Sequence, residues 1–171
     1  CITGKKKIME LGSIEKKNQE RVFLLSTTHG AEMNGLGAFV ATLDFLKKKD
    51  VIKKNWKYGE KFINEGNRIS KNLGLLKYFN FEGPGCSPIY FCRDKNFKSS
   101  LEFKTLFMQE MLKNKVLIPW VSICYRHGDK EFEKTMMALE KSLFIYKKAI
   151  KSNFKRYLIG NSVKPVFRRF N

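Results

Sequence analysis

The residues of this chain best suited to chemistry stand together in Ser26-Thr-Thr-His-Gly-Ala-Glu32. Three consecutive hydroxyls followed by glycine lie where an apolar run, Val22 to Leu25, gives way to a helical pattern of small residues. Free backbone N–H groups at such a junction seat an anion such as phosphate. The same hydroxyls also satisfy orphan N–H groups at a helix start when no ligand is present, and both readings stay open at this level. Two histidines stand near carboxylates, His29 three residues before Glu32 and His127 two before Asp129. A structural zinc takes four ligands, and nothing in the sequence brings these pairs together. His29 is therefore expected as part of the turn, and His127 as a residue preceding a helix. Arg93 and Arg126, near the ends of expected strands, suit bidentate contact with a carboxylate or simple exposure at a strand end.

The elements that must hold these groups follow from periodicity. Residues 22–25 read as an extended lead-in, and 30–46 as a helix with Ala31, Gly35, Ala38 and Thr42 on its packing face. Trp56, Gly59, Phe62, Ile63, Gly66, Ile69 and Leu73 repeat in steps of three and four, which predicts a long amphipathic helix over 52–73, stopped by Gly74. Residues 75–81 and 88–92 are β-favouring runs separated by Glu82-Gly-Pro-Gly85, the pattern of an antiparallel pair. A helix over 101–112, a strand over 117–125 and a closing amphipathic helix over 132–150 complete the order. The last carries Phe132, Met136, Leu139, Leu143, Tyr146 and Ile150 toward the core, with Gly128 or Asp129 as cap. The expected class is α/β in the broad sense, more narrowly an α+β unit with helices covering one face of an antiparallel sheet.

Four pieces in this order resemble the class III, fold-type I pyridoxal-phosphate aminotransferases, in particular the branch of glutamate-1-semialdehyde aminomutase. They are Ile2-Thr-Gly-Lys-Lys-Lys-Ile-Met-Glu10, the 26–32 turn, Tyr58-Gly-Glu-Lys-Phe-Ile-Asn-Glu-Gly-Asn-Arg-Ile69, and His127-Gly-Asp-Lys-Glu-Phe132. The resemblance covers nearly the whole chain. It implies a tail of the large cofactor-binding domain over 1–50, a connecting helix over 51–73 and a C-terminal small domain over 74–171. It implies pyridoxal 5'-phosphate as cofactor, with Thr27 and Thr28 as cofactor-binding residues, Thr27 contacting the phosphate held by the second identical subunit of a homodimer. The substrate would be a small amino or keto compound, as in tetrapyrrole synthesis or surface-sugar pathways. In that family the lysine that carries the cofactor lies shortly before the first of these pieces, so no catalytic residue is expected here. The chain, opening on Cys1, is expected to be a C-terminal fragment, inactive alone.

Composition bounds the remaining choices. The 34 Lys and Arg against 16 Asp and Glu give a net charge of +18, which admits a nucleic-acid-binding domain as an alternative. The basic residues are spread along every segment, however, and the 15 Phe and 6 Tyr do not interleave with them as stacking platforms do, so no nucleic-acid partner is expected. A non-catalytic binding or structural role is the other alternative. The four cysteines have no CxxC spacing, which indicates buried free thiols rather than a zinc site or disulfide framework. No run of 18 apolar residues is present and no targeting signal is visible, so a cytoplasmic protein with no membrane partner is expected.

Overall fold

The computed structural model describes residues 4–12 and 32–164. They fall into two units, one ending at Phe45 and the other starting at Leu46. The first holds a short helix, α1 (Lys6–Met9), a 3-10 turn (Glu10–Gly12) and most of α2 (Met33–Lys49). None of α2 is buried, and Met33, Leu36, Phe39, Val40 and Leu43 all stand exposed on it. The small residues Gly35, Ala38 and Thr42, expected to pack, are exposed as well. The Thr42 hydroxyl donates back to the Ala38 carbonyl at 2.8 Å, the usual way a helical threonine satisfies itself.

The second unit is built on α3 (Val51–Asn72), a hairpin of β1 (Phe79–Glu82) and β2 (Ile89–Cys92), then α4 (Leu101–Lys113), α5 (Asp129–Ile150) and a final 3-10 turn (Phe154–Tyr157). It is a mixed α+β arrangement in which long helices cover a two-stranded antiparallel sheet. Phe79 pairs with Cys92 and Phe81 with Tyr90, so all four side chains lie on one face of the pleat, and all four are buried. That face is lined by aromatic rings. Phe79 meets Phe107 of α4 at 4.6 Å between ring centroids, Phe81 meets Phe62 of α3 edge-on at 5.1 Å, and Tyr146 of α5 meets Phe103 at 4.8 Å. Leu106, Met111, Leu139 and Leu143 fill the space between.

Two glycines let α3 approach the hairpin this closely. A β-carbon on Gly66 would lie 2.6 Å from the Phe81 ring, and one on Gly59 would overlap the Gly85 carbonyl. Polar side chains of α3 then take up the outer edge of β1. The Asn67 amide donates to the Phe81 carbonyl at 2.9 Å and its oxygen accepts the Phe81 N–H at 2.7 Å, while the Ser70 hydroxyl donates to the Phe79 carbonyl at 2.6 Å. The end of α4 closes with Lys115 in the left-handed region at φ 61°, the Val116 N–H reaching the Met111 carbonyl and the Lys115 N–H that of Leu112.

Three expectations are corrected. The strand over 117–125 is absent from the described structure: Pro119 has no N–H to offer a ladder, and the Tyr90 hydroxyl lies 3.0 Å from the carbonyls of Ile118 and Pro119. Burial in this segment recurs every third residue instead of every second, with Ile118 and Val121 buried and Leu117 and Trp120 exposed. The first strand starts at Phe79 rather than residue 75, because residues 76–78 turn and the Phe79 N–H donates to the Leu75 carbonyl. Trp56, placed on the apolar stripe of α3, is 41% exposed.

Candidate functional site

Thr27 and Thr28, the expected cofactor contacts, and His29 beside them lie outside the described residues. The other candidates fall in the second unit. Arg93 follows β2, where its guanidinium donates to the Asn80 side-chain oxygen at 2.5 Å and lies over the Phe91 ring. Arg126 is exposed in the turn before α5. Arg93 also lines an open pocket with Leu76, Asn80, Glu82 and Phe97.

His127 is the candidate that the fold builds into a pocket. Gly128 is the N-cap of α5 and has no side chain to offer, so Glu131 accepts its N–H at 2.9 Å instead. That hydrogen bond holds the Glu131 carboxyl below the usual carboxylate range. One residue earlier, the His127 Nδ1 accepts the Cys124 N–H over 3.4 Å, so in the neutral ring the proton sits on Nε2. The ring faces Tyr58 of α3 at 5.9 Å, and Tyr58 meets Phe132 edge-on at the same separation. Burial, with Glu131 and Asp129 nearby, pushes the Tyr58 phenol up to about 12, so it remains a hydrogen-bond donor across the neutral range.

These groups line a cleft of about 330 Å³ between α3, the 115–123 segment and the first turns of α5. Ile118, Val121 and Trp120 give it apolar walls, and Lys115 and Lys134 are among its lining residues. Asp129 stands apart from His127 and accepts from the Lys61 ammonium at 3.2 Å. The volume and the mix of apolar walls with a few polar groups suit a small molecule. The sequence hid this pocket because its walls come from positions far apart in the chain, brought together only when α3 packs on α5.

The turn that the resemblance assigns to the phosphate lies outside the described residues. The thiols divide unevenly. Cys92 is buried, and burial raises its thiol far above the ordinary range, whereas Cys86 and Cys124 are exposed, contrary to the expectation of buried thiols throughout. No group of three or more His, Cys, Asp or Glu able to hold a metal occurs among the described residues, and no helix there is long and apolar enough to cross a membrane. Comparison with protein-family models and with curated proteins finds no match to this chain.

Proposed function

We propose that the chain is the C-terminal part of a pyridoxal-phosphate-dependent aminotransferase or aminomutase of fold type I, acting on a small amino or keto substrate as a homodimer. The ordered set of four motifs carries this reading, the 26–32 turn foremost among them. Thr27 and Thr28 supply the hydroxyls for the cofactor phosphate, and backbone N–H groups of the same turn supply further donors. The cofactor brings the electron sink that amino transfer requires, and the lysine that carries it belongs to a part of the protein outside these 171 residues. Two features of the fold support the reading. A long amphipathic α3 leads into an α+β unit, as a connecting helix leads into a small domain. An apolar, small-residue α2 with none of its side chains buried suits a helix meant to be covered by more protein.

The test is cofactor capture by the protein made from its natural reading frame. After incubation with pyridoxal phosphate and desalting, the protein is expected to keep the visible absorption of bound cofactor and to lose it on addition of an amino donor such as glutamate. Thr27→Val is expected to release the cofactor faster. A folded protein that retains no cofactor overturns the proposal, and unchanged release from Thr27→Val removes Thr27 from the phosphate site.

A further inference from the structure

We propose that the cleft between α3 and α5 binds a small monocarboxylate with an apolar body, independently of any cofactor. Shape and lining select this class. Phe62, Ile118, Val121 and the largely exposed Trp120 offer apolar contact to a ligand's hydrocarbon part, and the volume of about 330 Å³ limits that part to a short chain or a single ring. Charge then selects the head group. Lys115 and Lys134 are the cations on the lining, and the one carboxylate there, Glu131, already accepts the Gly128 N–H. The Tyr58 hydroxyl is a further donor, and His127 in its neutral form offers Nε2–H because Nδ1 is taken by the Cys124 N–H. The lining thus offers an anion two lysines, a phenol and an imidazole, and sets the same two lysines against a cation.

Lys115 is held on this lining by the backbone. It occupies the left-handed position that ends α4, and the Schellman pair of hydrogen bonds fixes where its side chain leaves the chain. Lys134 sits one turn into α5, on the same side as Glu131 and Thr135.

Hexanoate is the probe, and the tryptophan of the lining is the reporter. The chain has two tryptophans, so Trp56→Phe leaves Trp120 as the sole source of the signal. In that background hexanoate is expected to change the emission saturably. Hexanamide and hexylamine, equal in length but lacking the negative charge, are expected to bind about tenfold more weakly or worse, the scale of a hydrogen bond to a charged group. Lys134→Glu reverses an exposed charge, and Lys115→Asn keeps a residue that tolerates the left-handed backbone; each is expected to weaken hexanoate by a similar factor. Circular dichroism establishes that each variant is folded. An emission that does not saturate, equal binding of hexanamide, or hexanoate binding untouched by both lysine substitutions overturns the proposal. Cofactor capture leaves this outcome unaffected, so failure of either proposal is read separately.

Discussion

Gly59 of α3 and Gly85 of the hairpin turn meet backbone to backbone, with the Gly85 carbonyl where a β-carbon on residue 59 would stand. Any side chain at 59 pushes the hairpin off the helix. Alanine normally favours a helix interior by roughly 1 kcal/mol over glycine, yet here Gly59→Ala is expected to destabilise by about 1–3 kcal/mol, the cost of overpacking. A lowered urea midpoint with an unchanged slope is the expected reading, and a stabilised variant would show that the two backbones do not touch.

Asn67 acts toward Phe81 as a peptide group would, giving one N–H and accepting another. Removing both leaves a carbonyl and an N–H of β1 without protein partners beside a packed helix. Asn67→Ala is expected to cost about 2–3 kcal/mol, since each unsatisfied group carries its desolvation penalty. Amide hydrogen exchange at Phe81 should accelerate more than at Tyr90. Equal protection factors in the variant and the parent would contradict the pairing.

Two buried hydroxyls on α5 carry opposite expectations. Tyr146 donates to the Arg93 carbonyl at 2.7 Å, so Tyr146→Phe should lose about 1–2 kcal/mol. Ser142 is fully buried and its hydroxyl has no hydrogen-bond partner among the described residues. Ser142→Ala is therefore expected to leave stability unchanged or raise it by up to about 1 kcal/mol. Thermal unfolding of the pair side by side decides the matter, and a marked loss in Ser142→Ala would reveal a partner for that hydroxyl.

Acid should loosen the start of α5. The Gly128 N–H holds the Glu131 pKa down in the folded state, so the contribution to stability is complete above the ordinary value of about 4.3 and disappears as pH falls through the lower folded value. Glu131→Gln keeps an acceptor for Gly128 but removes the titration. Its melting temperature should fall less steeply below about pH 4 than that of the parent. Parallel pH profiles would show that the carboxylate does not cap the helix.

Long periodic patterns were the readable part of this chain. The stripe from Phe132 to Tyr146 is buried where its spacing placed it, and Glu110, which sits on the apolar stripe of α4, is buried with the Lys113 ammonium against it at 2.6 Å. The hairpin was legible from its Gly-Pro-Gly turn, though with a late start, because Leu75 turns the chain before the ladder begins. Residues 117–125 have strand composition, but a ladder needs a neighbour, and composition says nothing of neighbours. Trp56 was placed inside by its period; one turn from Gly59, the backbone of Gly85 occupies the space against α3. Of the cleft, His127 was legible as a residue before a helix, whereas its partnership with Tyr58 depends on how two helices cross.

The bonds from Asn67 and Ser70 to β1 also bear on how copies of the chain behave in a crowded solution. An exposed strand edge is a template on which another chain can add itself and begin a fibril. On β1 the outward N–H and carbonyl of Phe81 and the outward carbonyl of Phe79 are already occupied by side chains of the same molecule. A two-stranded sheet, in which each strand is also an edge, is thereby sealed along one side by an amide and a hydroxyl.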